Sequence, residues 1–317
     1  MRGQSALPDE ISMDVVIPVY GNYPIVRRCL ESVLVSRTAV VARVLVIDDA
    51  SPDRETSSYL RMLNTRGAID LIRHDTNQGF VVSANAGLCG SRRDVLLLNS
   101  DTEVHGNWAQ RLMRCGYSSH DIGTVTPFSN NATICSYPFV AGRRGLPRGI
   151  GLSQLDGLFA DANAGQTADL PTGVGFCLFI RRACLDVVGV FDPIRFGRGY
   201  GEETDFCQRA RLAGWRNVIC ADTFVYHEAG ATFGAEGRQR AREAERLLLE
   251  LYPDYAKRVR DFIRTDSLAR FRRTVDAARA KLSVRHAIAV LEERALEKAY
   301  LLAISVKKPA STGRPLK

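Results

Sequence analysis

MDVVIPVYGNYPIVRRCLESV, residues 13–33, runs from an apolar stretch through the polar turn Tyr20-Gly21-Asn22 into helically spaced apolar residues. β-branched residues crowded into a short run predict a strand over 13–19, and the spacing after Pro24 predicts a helix over 24–36. The alternation continues outward. VLVID (44–48), IDLIRH (69–74) and VLLLN (95–99) read as further strands, with helix-like spacing over 55–64 and 81–90 between them. Such short apolar strands alternating with helices imply a doubly wound, mostly parallel sheet buried on both faces, hence an α/β fold.

Sheets of this kind bind ligands outside the carboxyl ends of their strands. Polar clusters stand at three of those ends here: residues 20–22, Asp48-Asp49-Ala50-Ser51, and Asn99-Ser100-Asp101. One shared site accounts for them better than three unrelated loops. Asp48 and Asp49 precede a Ser-Pro turn, where aspartate serves as a turn-former or helix cap. Alternatively one of them accepts the imide N–H of a pyrimidine base, with Pro18 and Tyr20 shaping the pocket. Asp101 follows a buried strand, where a carboxylate can hold a hard divalent cation that shares diphosphate oxygens. His227, in FVYHEAGATF, is either an ordinary polar residue at a strand end or a second metal ligand. Glu202, Glu203 and Asp205 open a helix-like stretch, where acids complement the helix dipole. One of them could instead deprotonate an acceptor hydroxyl as general base.

Residues 127–170 are rich in Gly, Pro, Asn and Ser, lack periodicity and read as a long surface excursion. GFCLFI (175–180) predicts a strand, 203–212 a helix, and 218–227 one or two short strands. From Glu236 the chain is strongly helical, with breaks near Pro253 and Ser267. Residues 236–317 hold 20 Lys/Arg against 11 Asp/Glu, whereas residues 1–235 hold 23 against 24, so the excess of positive charge lies in the helical part. The expected organisation is an α/β domain over 1–235, a basic helical appendage over 236–306 and a disordered tail over 307–317.

The resemblance that these stretches carry is to family 2 glycosyltransferases with the GT-A fold. VVIPVYGNYPIVRRCLESV, VLVIDDASPD, NQGFVVSANAGL, VLLLNSDTEV, PTGVGFCLFIRR, GYGEETDFCQRARLAGW and VYHEAGATF occur in the family's order across residues 13–235. The likeness is greatest to bacterial members that build surface polysaccharides. It implies that Pro18, Tyr20 and Asp48, with Asp49 beside them, bind the nucleotide's base and ribose. Asn77 and Asn85 would line the nucleotide pocket, Ser100 would lie next to ribose and phosphate, and Gly173 would lie under the donor sugar. Asp101 matches the last carboxylate of the family's D-x-D motif and His227 its metal-site histidine. Glu203 matches the catalytic base, with Glu202 or Asp205 as fallback. Asn99 stands where D-x-D has its first acid, which makes the metal site lean.

The implied activity is inverting transfer of a sugar from a UDP- or dTDP-sugar to a hydroxyl of a glycan or lipid-linked acceptor, assisted by Mn²⁺ or Mg²⁺. The alternative is a catalytically degenerate module that serves as a glycan-binding or scaffold domain. A dinucleotide-dependent oxidoreductase would need G-x-G-x-x-G after the first strand, where this chain has PVYGNYP. A sugar nucleotidyltransferase would want a Gly-rich loop bearing Lys or Arg at that place, also missing. No motif supports nucleic-acid binding. The eight cysteines form no C-x-x-C pair and read as reduced core thiols. No apolar leader or spanning segment is evident, which predicts a cytoplasmic protein. The basic helices are either a solvated appendage or a dock for anionic lipid on the inner membrane face or for a partner domain, through Arg270, Arg272, Arg273, Arg279, Lys281 and Arg285.

Overall fold

The computed structural model describes residues 11–139, 145–228 and 235–306. Its first part alternates as predicted: β1 (Met13–Val19), α1 (Tyr23–Val35), β2 (Val41–Asp48), α2 (Arg54–Thr65), β3 (Asp70–Arg73), α3 (Phe80–Gly90) and β4 (Asp94–Leu98). β5 (Thr102–Glu103) and α4 (Trp108–Gly116) lead into β6 (Ile122–Phe128), α5 (Leu152–Ala162) and β7 (Thr167–Asp169). Then come β8 (Cys177–Ile180), α6 (Arg182–Val188), α7 (Pro193–Phe196), α8 (Glu202–Leu212), β9 (Arg216–Phe224) and β10 (Tyr226–His227). Helices α9 (Ala235–Leu251), α10 (Tyr255–Thr265), α11 (Ala269–Ala280) and α12 (Val284–Val306) follow. The tail expected over 307–317 lies outside the described residues.

One sheet has the order β3-β2-β1-β4-β8-β6-β9-β7, and β10 pairs with β5 in a small second sheet. β3, β2, β1 and β4 are mutually parallel, and so are β6 and β9; β8 and β7 run antiparallel to their neighbours. The sheet is mostly parallel, flanked by helices. Alternate residues feed two apolar layers. Val15, Ile17, Leu96 and Leu98 join Leu30 and Trp108 on one face, while Val16, Val95 and Leu97 join Leu88 and Phe206 on the other. Burial on both faces is why these strands show no polar alternation. Helix α3 lies directly on β1 because Gly87 has no side chain: a Cβ there would come within 2.1 Å of Val16 Cγ1.

Pairing of β1 with β4 ends at Val16–Leu97, whereas pairing with β2 continues to Val19–Asp48. The chain winds outward in opposite directions from β1 and β4, so their divergence is a topological switch point where a crevice opens. Pro18, which has no N–H to donate, sits beyond the last β4 pair.

Two expectations need correction. The described part of residues 127–170 is not a surface excursion: Ile134, Cys135, Tyr137, Leu155 and Phe159 are core residues, and β6, α5 and β7 lie partly or wholly in this span, while residues 140–144 lie outside the described residues. Their burial is irregular because hydrogen bonds within the segment, rather than one helix or strand face, satisfy its polar groups. The basic surface of the C-terminal helices is also smaller than expected. Arg272 is 2% exposed and ion-paired with Asp266; Arg279 is 0% exposed and bound to Glu293 at 2.8 Å. Arg270, Arg273, Lys281 and Arg285 remain exposed. Leu268, Phe271 and Val275 share an apolar layer with Phe159, so α11 packs against α5. Among the described residues no helix is long and apolar enough to cross a membrane. All eight cysteines are free thiols, six of them buried.

Candidate active site

The crevice between the ends of β1 and β4 is a cleft of about 670 Å³. Pro18, Tyr20, Asp49, Asn77, Ser100, Asp101, Glu202, Glu203 and His227 all line it, so residues up to 209 positions apart meet in one cleft. Asp48, Asn85 and Gly173 do not. Asp48 is fully buried beneath the wall, where it accepts the Ser51 backbone N–H at 2.8 Å and binds Arg73, shaping the turn after β2. Asn85 is a clamp between elements: its amide donates to Phe191 O at 2.9 Å and accepts from Phe191 N at 3.0 Å. Gly173 faces inward, with Leu178, Cys207 and Thr126 in the space a Cβ would take. Its neighbours Val174 and Gly175 reach the cleft instead.

Asp49 reaches the wall while fastening the loop after β3. Its Oδ1 accepts the Gln78 N–H at 2.7 Å, its Oδ2 accepts the Gly79 N–H at 2.8 Å, and His74 Nδ1 lies 3.0 Å from Oδ1. That loop is met from the other side by Arg198, which donates to Asn77 O and Oδ1 at 3.1 and 2.7 Å. Gly79, at φ +87°, has Arg198 Cα 3.0 Å from where its Cβ would stand, so the two loops touch backbone to backbone. Arg198, Tyr200 and Arg240 line the cleft without having been singled out from the sequence. The only local sign of the first two was the glycine spacing of GRGYG at 197–201.

Asp101 and His227 are neighbours across the small sheet, in which His227 pairs with Thr102. Their side chains approach to 3.3 Å between Oδ1 and Nε2. His227 Nδ1 is 3.0 Å from the carbonyl oxygen of Asn131, and the ring stacks on Phe176 with centroids 5.3 Å apart. A carbonyl can only accept, so Nδ1 carries the proton. In the neutral ring Nε2 then turns a lone pair toward a carboxylate, an arrangement that requires positive charge between or on the two groups. Asn99, which also lines the cleft, has its Oδ1 buried without a protein partner. Carboxylate, imidazole and amide oxygen are a donor set that suits Mn²⁺ and related ions. No group of three His, Cys, Asp or Glu side chains that could hold a metal occurs among the described residues.

The cleft is also lined by two acids. Tyr200 (φ 78°) and Gly201 (φ 89°) turn the chain sharply into α8, and Glu202 and Glu203 occupy its first turn. Positive φ at a tyrosine is sparsely populated and marks a backbone held by its surroundings. Gly175 leaves room for Glu203, whose Cγ lies 3.3 Å from where a Cβ would sit. Burial raises the Glu203 carboxyl above its ordinary range, opposed by nearby backbone groups of Thr204, Gly201 and Gly175. Glu202 is pushed well above it, first by burial and then by the charge of Glu203. One oxygen of each acid is buried without a partner. Asp205 faces elsewhere: Arg209 Nε and Tyr252 OH donate to it at 2.8 and 2.7 Å, which removes it as an alternative base.

A carboxyl whose pKa is higher folded than unfolded destabilises the fold once pH exceeds the unfolded value, and more so up to the folded value. For Glu202 that window opens near 4.5 and extends well upward. Glu202→Gln keeps the shape and removes the buried ionisable group. Thermal unfolding at pH 7.5 should therefore show a higher melting temperature, by roughly 2–4 °C per kcal/mol recovered, with the gain vanishing at pH 4. An equal or lower melting temperature at pH 7.5 would refute the buried-charge reading.

The sequence profile described as glycosyl transferase family 2 matches residues 14–186, more than half of the chain. The chain belongs to that family. No curated protein matches it. Among solved structures it is similar to GalNAc-T7 with UDP, GalNAc and Mn²⁺, at 16% identity and a TM-score of 0.57 over 78% of this chain. The chain spans half the length of that protein. It is also similar to the mannosyltransferase PcManGT from Pyrobaculum calidifontis in complex with GDP-Man and Mn²⁺, at 16% identity and a TM-score of 0.55, covering 97% of this chain and 90% of the other. At such identity the likeness is one of fold, the GT-A arrangement of sheet and helices. The cleft at the β1–β4 switch point lies where open α/β sheets bind their ligands.

Proposed function

We propose that this glycosyltransferase moves a sugar from a UDP- or dTDP-sugar to a hydroxyl of a glycan or lipid-linked acceptor, with inversion, in bacterial surface polysaccharide synthesis. The observation that carries the reading is one cleft lined by Asp101, His227 and Glu203, with Asp101 and His227 in contact. Pro18, Tyr20, Asp49 and Asn77 would hold the nucleoside end, Asp49 in place of the buried Asp48. Arg198 and Arg240 give this cleft positive charge suited to a diphosphate. Asp101 and His227, with Asn99 Oδ1 beside them, would hold a divalent cation. Bound there, Mn²⁺ or Mg²⁺ would offset the charge on the departing nucleoside diphosphate. Both solved relatives were determined with Mn²⁺ and a nucleotide or nucleotide sugar.

Glu203 removes the proton from the acceptor hydroxyl as that oxygen bonds to the anomeric carbon. The bond to the diphosphate breaks on the opposite face, so a single displacement inverts the configuration. A second cleft of about 560 Å³, lined by Arg195, Arg246 and Leu247, adjoins the first across Arg198, Tyr200 and Arg240 and offers the acceptor an approach to Glu203. We assign catalysis to residues 1–235 and read the packed helices of 236–306 as a support for that unit.

The test is a donor screen that measures released nucleoside diphosphate, with and without Mn²⁺ or Mg²⁺. Metal-dependent release from one UDP- or dTDP-sugar, increased by a glycan acceptor, is the expected result. Binding of glycans with no release from any donor would favour the degenerate-module reading instead.

A further inference from the structure

His227 is held from three directions by residues of a segment that no motif singled out. The Asn130 side chain brackets its backbone: Oδ1 accepts the His227 N–H at 2.8 Å, and Nδ2 donates to His227 O at 3.0 Å. The next residue supplies the carbonyl that accepts from Nδ1 at 3.0 Å. This segment is folded on itself. Tyr137 N donates to Ser129 O at 2.8 Å, Ser129 N to Cys135 O at 3.1 Å, and Ala132 N to Ser136 Oγ at 2.9 Å.

The segment's far end is fixed to the C-terminal helices. Tyr137 OH donates to Asp276 Oδ1 at 2.9 Å and accepts from Arg279 Nη1 at 2.8 Å. Arg279 in turn binds both oxygens of Glu293, at 2.8 and 3.1 Å, and Arg294 Nε binds Asp276 Oδ2 at 2.5 Å. Buried ion pairs of this kind add little net stability but hold one geometry, since breaking one leaves a charge stranded. The Tyr137 ring also meets Phe159 edge-on, with centroids 5.1 Å apart.

We propose that residues 129–137, braced by α11 and α12 through Tyr137, form the positioning element of the metal site. Asn130 sets the His227 backbone, and the Asn131 carbonyl selects the tautomer that presents Nε2 to Asp101. The helical segment thereby acts on catalysis without touching substrate. The inference rests on His227 being a ligand, as proposed above. Outer-shell partners of a ligating histidine fix its tautomer and orientation, and losing one weakens metal binding by roughly 10–100-fold.

The test uses the full chain and the variants Asn130→Ala and Tyr137→Phe. ¹⁵N imidazole shifts of His227 in metal-free protein report the tautomer, and Mn²⁺ titration followed by electron paramagnetic resonance reports affinity. Wild-type protein should show Nδ1 protonated. Asn130→Ala should mix the tautomers, weaken Mn²⁺ binding at least tenfold, and raise the Mn²⁺ concentration needed for half-maximal turnover while leaving kcat at saturating Mn²⁺ within a few fold. Tyr137→Phe, which keeps the ring and its packing, should move the same readouts in the same direction by a smaller factor. Unchanged shifts and a Mn²⁺ affinity within twofold of wild type in a folded Asn130→Ala protein would overturn the proposal. If Asp101→Ala leaves Mn²⁺ affinity unchanged, the metal assignment itself fails, and the ¹⁵N shifts still decide whether Asn130 and Asn131 orient the ring.

Discussion

Asp101→Ala should lower kcat/KM by about 10³-fold or more and leave the melting temperature close to wild type. The carboxylate does little for the fold: its contact is with His227 Nε2 at 3.3 Å, while the local chain path depends on the Asp101 carbonyl, which accepts the Glu228 N–H at 2.9 Å. That backbone bond survives truncation. The site does not, because Asp101 is the anionic member of a donor set otherwise made of a neutral imidazole and the Asn99 amide oxygen. Charge stabilisation of a leaving group by a bound cation is worth several kcal/mol, and each 1.4 kcal/mol is about tenfold in rate. Loss of about 4 kcal/mol gives the stated factor. Steady-state kinetics over a Mn²⁺ series checks it. Asp101→Asn, which keeps an oxygen but not the charge, should fall between the two. A fall of less than tenfold at every Mn²⁺ concentration would show that the leaving group is stabilised elsewhere, with Arg198 and Arg240 the first candidates.

That prediction draws on a residue legible in the sequence, and the reason is general. β1, β2 and β4 are short apolar runs ending abruptly in polar residues, so both the strands and the polar groups at their carboxyl ends can be read directly. β6 could not be read this way. Its Thr124 and Thr126 are buried polar residues paired with Asn217 and with the Val174 N–H, so a central strand looks like a loop. The segment at 129–137 failed for a related reason: its order comes from hydrogen bonds among its own residues and from Tyr137 reaching helix α11, more than 130 positions away. Among the acids, type was legible and orientation was not. Asp48 and Asp49 are adjacent, and which one faces the cleft depends on where the strand alternation ends and on Arg73 taking Asp48 beneath the wall. Asp205 was a reasonable base until Tyr252, 47 residues on, is seen to bind it. The charge excess of the C-terminal part could be counted, but not how much of it would be neutralised by partners on the same helices, as Arg279 is by Glu293.

Glu203→Gln should lower kcat by about 10²–10⁴-fold, the range for loss of a positioned general base, with nucleoside diphosphate affinity little changed. The two acids of α8 stand side by side, and Glu203 is the one proposed as base. Both carboxyls are raised by burial, and the charge of Glu203 also raises Glu202. Loss of the first proton from such a pair leaves one anion beside one neutral acid. The acid limb of the kcat/KM profile should lie above the ordinary glutamate range near 4.5 and follow Glu203. Glu202→Gln should retain measurable turnover and an acid limb above 4.5, since the amide replaces an acid that is not the proposed base. pH-rate profiles of wild type and both variants distinguish the alternatives. If Glu202→Gln abolishes turnover while Glu203→Gln keeps it, the roles are reversed. If both retain near-normal rates, the proton is taken by neither acid.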